Sequence, residues 1–185
     1  MNYLEIIGTA IGVVYLILEY RASAWLWVAS IAMPAIYLAV YYQAGLYADF
    51  GISVYYIIAS VYGLVCWLRG RSDDGADVPV THTPRSVYAP LTAVFVAVFV
   101  MIGLILSRFT DSTVPWADAF TTALSIVAMW MLARKYLEQW LVWIAADVAC
   151  SVLYAYKDLW FTSALYLAYA VIAVMGYRKW KQLMN

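Results

Sequence analysis

The chain has 185 residues, 66% hydrophobic and 12% charged, with eleven basic and eleven acidic side chains and no net charge; its mean hydropathy is +0.80. Soluble domains are about half apolar and about a quarter charged, so this composition excludes a water-soluble globular domain and makes the bilayer the natural solvent and lipid the first partner. It offers no basic patch for nucleic acid, and Cys66 and Cys150 lie in apolar runs that suit neither a disulfide framework nor a metal site.

A membrane-spanning helix needs about 17–25 apolar residues. Seven such spans are expected, at Tyr3–Tyr20, Ala24–Tyr42, Phe50–Leu68, Ser86–Leu106, Val114–Ala133, Glu138–Tyr156 and Trp160–Tyr177. The start, MNYLEIIG, carries no basic residue or cleavage pattern and reads as no signal peptide. Most connections are short. The exception is RGRSDDGADVPVTHTPR, residues 69–85, whose Gly, Pro, Asp and Arg content reads as a solvated linker. The only histidine, His82, lies there and reads as a surface residue.

Orientation follows from the basic residues. Arg21, Arg69, Arg71, Arg85, Arg134, Lys135, Arg178, Lys179 and Lys181 fall on one side of the seven spans, and only Arg108 and Lys157 on the other. The asymmetry predicts a cytoplasmic C-terminus and an outside N-terminus.

The chain also repeats itself. A gapless offset of 113 residues sets Trp27 on Trp140, Tyr41 on Tyr154, Leu46 on Leu159, Tyr56 on Tyr169, Gly63 on Gly176 and Trp67 on Trp180, and brings Thr9–Ala10 onto Thr122–Ala123. The first three spans thus map onto the last three, with the fourth left over. One linking helix lets both triplets insert in the same sense, which predicts an all-α parallel 3+1+3 repeat. Its parts would be residues 1–68, a cytoplasmic linker and linking helix at 69–113, and residues 114–185. Transporters built this way hold substrate near the midplane between repeats.

The sixth span carries the clearest chemistry. Trp143, Asp147, Cys150, Ser151 and Tyr154 fall along one helical face. An acid at the bilayer centre costs about 2.5–3.5 kcal/mol on insertion scales, so such residues usually face a cavity or a partner. A structural hydrogen bond to a neighbouring hydroxyl is the competing explanation. The offset sets Pro34 opposite Asp147, so one half has a helix-bending proline where the other has a charge. Pro34 is a candidate hinge, or a tolerated packing kink. Tyr37, Tyr41, Tyr56, Tyr166, Ser163, Tyr169 and Thr122 supply further rings and hydroxyls at central depths. Most tryptophans sit at span ends, as an interfacial belt does. Trp143 lies one turn deeper than Trp140 and is the better candidate for stacking on a flat cation, an interaction of about 0.5–2 kcal/mol. Glu5 and Glu19 lie close to span ends and read first as boundary residues, with ligand gating the weaker alternative, and the Lys157–Asp158 pair reads as a solvated turn.

Enzyme chemistry has no support here. One histidine cannot build a metal cluster, no nucleophile has a base beside it, and no cofactor motif is present. A retinal protein would need a lysine deep in its last helix, and the seventh span has none before Lys179.

The segments ALSIVAMWMLARKYLEQWLVWIAADV (123–148), LYADFGISVYYIIASVYG (46–63) and LEIIGTAIG (4–12) resemble the PnuC family of bacterial vitamin transporters over nearly the whole chain. The resemblance implies a SWEET-like seven-helix fold in the bacterial inner membrane and a homo-oligomer, a trimer. It also implies facilitated diffusion of an unphosphorylated vitamin that a cytoplasmic kinase then traps. Substrates in the family are nicotinamide riboside, thiamine or riboflavin. The nicotinamide riboside members carry Asn in place of Asp147 and Gln in place of Lys157, which tilts the expectation toward thiamine and the PnuT branch. The expected site joins Asp147 as counter-charge to Trp143, Ser151, Tyr154, Tyr37, Tyr41, Tyr56, Tyr166 and Thr122. The alternatives are nicotinamide riboside transport or, in another class, a membrane sensor or scaffold that moves nothing.

Overall fold

The structure, a computed structural model, describes residues 11, 14–43, 47–70 and 78–184, without the side chains at 33, 37, 39–41, 43 and 47–49. Helical backbone covers residues 14–20 (α1), Trp25–Gln43 (α2), Tyr47–Arg69 (α3), Arg85–Phe109 (α4), Pro115–Ala133 (α5), Gln139–Tyr156 (α6) and Trp160–Leu183 (α7). Five of these, α4–α7 and α3 over Phe50–Arg69, are long and apolar enough to cross a membrane. Helices suit that solvent because each satisfies its own backbone. Residues 3–10 of the first expected span lie outside the described residues. α7 runs past its expected end at Tyr177 to Leu183, because Trp180 is buried and carries the helix on.

The chain divides into two compact units, Met1–Pro79 and Val80–Asn185. In the first, Trp27 is fully buried and stands edge-on to Trp67, with ring centroids 5.6 Å apart at 90°. Its indole lies over Gly63, where a Cβ would overlap Trp27 Cη2. Ser30 Oγ on α2 donates to Ser60 Oγ on α3 at 2.9 Å, and Ser60 Oγ donates to Tyr56 O at 2.6 Å.

The second unit holds the same arrangement 113 residues on. Trp140 stands edge-on to Trp180 at 5.6 Å and 88°, and a Cβ at Gly176 would meet Trp140 Cη2 at 2.6 Å. An aromatic cluster of Phe95, Phe99, Trp116 and Phe120 joins α4 to α5. α5 opens on Pro115, where a missing N–H costs nothing.

The helical corners also match. At the end of α1, Ser23 N donates to Leu18 O and Ala22 N to Glu19 O, both at 2.9 Å, with Ala22 at φ 52. At the end of α5, Tyr136 N donates to Met131 O at 3.1 Å and Lys135 N to Leu132 O at 2.9 Å, with Lys135 at φ 54. Each is a Schellman cap with a left-handed residue that is not glycine.

The end of the linker is not a free loop. Thr81 N donates to Lys135 O at 3.1 Å and accepts from Leu137 N at 2.9 Å through its carbonyl. His82 Nδ1 lies 2.6 Å from Glu138 Oε1, and Thr83 N and Oγ1 each donate to Glu138 Oε2 at 2.8 Å. This strap corrects the reading of residues 69–85 as solvated throughout, because backbone pairing and one carboxylate hold residues 81–83 against the α5–α6 turn. Burial pushes the Glu138 carboxyl up, but the hydrogen bonds from His82 and Thr83 outweigh it and hold the group below the usual carboxylate range.

Candidate functional site

α6 places Trp143, Asp147, Ser151 and Tyr154 at spacings of four, four and three residues, so they share one face. Asp147 is buried, 9% exposed, and its carboxyl accepts no hydrogen bond among the described residues. The competing explanation of a structural hydrogen bond therefore has no partner group in the second unit. Tyr166 and Tyr169 of α7 lie within electrostatic reach of that carboxyl. The Trp143 indole N–H is buried without a partner.

Toward the other end of α6 the rings form a ladder. Tyr154 stacks on Tyr166 at 5.2 Å and 15°, and Tyr166 meets Tyr169 edge-on at 5.7 Å and 77°. Such pairs favour ring contact beyond simple burial. Lys157 Nζ lies 6.0 Å from the centre of the Tyr154 ring and 3.2 Å from Asp118 Oδ1 on α5. Asp118 Oδ2 accepts from Ser112 Oγ at 2.9 Å. Lys157 is therefore a partly buried, paired cation, which corrects its reading as a solvated turn residue.

Ser151 is committed to structure. Its Oγ donates to Ser163 O at 3.0 Å, and Ser163 Oγ donates back to Ser151 O at 2.8 Å. This reciprocal clasp sets the register of α6 against α7 and so aligns Tyr154 with Tyr166. Thr122 is likewise occupied, donating to Asp118 O at 2.8 Å within its own helix. Cys150 lies within hydrogen-bonding reach of Thr121 on α5.

In the first unit, Tyr56 packs beside Tyr55 at 5.6 Å, and Tyr15 lies within electrostatic reach of it. Tyr15 hydrogen-bonds Glu19, which is buried at 2% exposure. Glu19 is thus an interior group and not the boundary residue its position suggests. Pro34 lies inside α2, which continues through it to Gln43. The side chains of Tyr37 and Tyr41, both on α2, lie outside the described ones. The open groove lined by Ile11, Val14, Leu18, Val28 and Ala32 is apolar and offers a vitamin nothing polar to bind.

The second unit sets Trp143, Asp147 and Tyr154 on one face of α6, with Tyr166 and Tyr169 of α7 and Thr121 of α5 near it, and adds Asp118, which was not among the expected site residues. Tyr169 carries a signal in the offset, since it is the counterpart of Tyr56. Asp118 has one too, as the counterpart of Glu5. No group of three or more His, Cys, Asp or Glu that could hold a metal occurs among the described residues.

The apolar helices and the repeated three-helix pattern define an integral membrane protein of the carrier type. Residues 2–182 match the family described as nicotinamide mononucleotide transporter, and the chain belongs to that family. It is 25% identical to the nicotinamide riboside transporter PnuC of Escherichia coli, over 97% of this chain and 85% of that protein. It is 26% identical to the riboflavin/roseoflavin transporter RibM of Streptomyces davaonensis, over 95% of this chain and 83% of that one. The crystal structure of the vitamin B3 transporter PnuC has the same fold, with a TM-score of 0.73 at 20% identity, covering 98% of this chain and 82% of its own. The protein is an all-α integral membrane vitamin transporter of the PnuC family.

Proposed function

We propose that the protein carries an unphosphorylated, flat, cationic vitamin across the bacterial inner membrane by facilitated diffusion, and that the vitamin is nicotinamide riboside. One observation carries the reading: a buried carboxyl, Asp147, stands without a hydrogen-bond partner beside Trp143 and the Tyr154–Tyr166–Tyr169 ladder. Aromatic faces with a carboxylate suit a desolvated aromatic cation. The E. coli and Neisseria mucosa relatives are named nicotinamide riboside transporters, which supports that substrate over the thiamine expected from Asp147. Thiamine remains the second reading, because Asp147 supplies a full counter-charge where Asn would supply a dipole. Riboflavin, neutral and larger, gains least from the carboxylate.

In this reading access alternates between the two sides of the membrane, Pro34 is a hinge, and Tyr37, Tyr41 and Tyr56 are further substrate-binding candidates. The basic side faces the cytoplasm, where a kinase traps the vitamin, and the chain works as a homo-oligomer. Counterflow in proteoliposomes with nicotinamide riboside, thiamine and riboflavin in parallel tests the proposal. Exchange of nicotinamide riboside supports it. Exchange of thiamine alone moves the assignment to the second reading, and binding without flux makes the protein a sensor.

A further inference from the structure

Three side chains on α6, two of them buried and the third with a buried indole nitrogen, stand one turn apart, and their polar groups meet no hydrogen-bond partner among the described residues. Gln139 is 0% exposed, and neither its Oε1 nor its Nε2 is hydrogen-bonded. Four residues on, the Trp143 Nε1 is unmet, and four further on Asp147 is buried and accepts no hydrogen bond among the described residues. Steps of four keep the side chains on one face, about 6 Å apart along the axis. Buried polar atoms left unmet are destabilising, and native proteins seldom leave them so.

The first unit supplies the contrast. Leu26, Ser30 and Pro34 stand at the positions equivalent to Gln139, Trp143 and Asp147. Leu26 and Pro34 have apolar side chains, and the Ser30 hydroxyl is bonded to Ser60. The indole nitrogens of Trp27 and Trp140 are unmet in both units, so those orphans belong to the shared packing. The Gln139–Trp143–Asp147 row belongs to one half alone.

We propose that Gln139 is a substrate-binding residue, a subsite that takes the neutral carboxamide of the vitamin while its cationic ring lies along Trp143 and Asp147. The inference rests on the transporter reading above. A glutamine amide presents a donor and an acceptor side by side, and a primary carboxamide presents the complementary pair. A carboxylate in place of the carboxamide has no donor, so a site built this way rejects it.

The test uses the purified full-length protein, with binding of nicotinamide riboside, nicotinic acid riboside and thiamine followed by titration calorimetry. Leu26, fully buried at the equivalent place, indicates that Gln139→Leu will fold, and Gln139→Met is the second variant. Both should weaken nicotinamide riboside binding about ten- to a hundredfold and erase the preference over nicotinic acid riboside. The ligand-free melting temperature should hold or rise, since no amide is left unmet. Unchanged affinity in both variants overturns the subsite and leaves transport standing. A fall in melting temperature with the preference intact makes Gln139 structural and overturns it too. Binding of thiamine alone overturns the carboxamide assignment, and binding of none of the three by the unmodified protein overturns the transporter reading and the subsite together.

Discussion

His82 and Glu138 meet at 2.6 Å across 56 positions of chain, and the contact ties the linker to the first residue before α6. Glu138 also accepts two hydrogen bonds from Thr83. Glu138→Ala should therefore free the strap, at a cost of about 2 kcal/mol for losing hydrogen bonds to a charged acceptor. Hydrogen exchange at the Thr83 amide should rise while the centre of α6 stays protected. The pH dependence has a definite sign. The folded state holds Glu138 below its usual range, so its contribution is full above the unfolded value near about 4.3 and is lost as pH falls through the lowered folded value. Exchange at Thr83 that stays unchanged down to that range would contradict the strap.

Gly63 and Gly176 each sit under an indole, where an added Cβ would overlap Trp27 Cη2 in the first case and lie 2.6 Å from Trp140 Cη2 in the second. Gly63→Ala and Gly176→Ala should each displace a fully buried tryptophan and cost about 1–3 kcal/mol. Thermal unfolding in detergent, followed by tryptophan fluorescence, should show similar losses for the two. A loss at one glycine only would mean that the two pairs differ in their freedom to shift.

Ala22 holds φ 52, a conformation that L-residues with a Cβ adopt at a cost of about 1–2 kcal/mol. Ala22→Gly removes that strain against a smaller entropic loss in the unfolded chain. The melting temperature should hold or rise, while Ala22→Val should lower it. The reverse order would show that the cap is not left-handed.

Asp147→Asn keeps the shape and removes the charge. Affinity for a cationic vitamin should fall about tenfold or more, as expected for loss of a charged acceptor, while any riboflavin binding should be unaffected. Equal affinities for the cation in the two proteins would make Asp147 a structural residue.

Legibility in the sequence followed the size of the side chains involved. Trp27, Trp67 and Gly63 recur at Trp140, Trp180 and Gly176 because a large ring and the absence of a Cβ must fit each other, and that fit leaves a trace in composition. The face of Trp143, Asp147 and Tyr154 was legible because one helical period places it. Which rings of α7 meet that face was harder, because Tyr166 and Tyr169 reach it from another helix and depend on a register set by the Ser151–Ser163 clasp. The strap was hidden altogether. Thr81 pairs through backbone atoms that every residue shares, and the Gly, Asp and Pro around it read as solvent-loving chain.

The bridge between Thr81 and the turn at Lys135–Leu137 also imposes an order on biosynthesis. Residues 81–83 leave the ribosome before their partners exist. The start of α4 must wait, untethered, while all of α4 and α5 is made, and it fastens only as α6 begins to emerge. The linker is therefore assembled late, by the half of the protein that follows it.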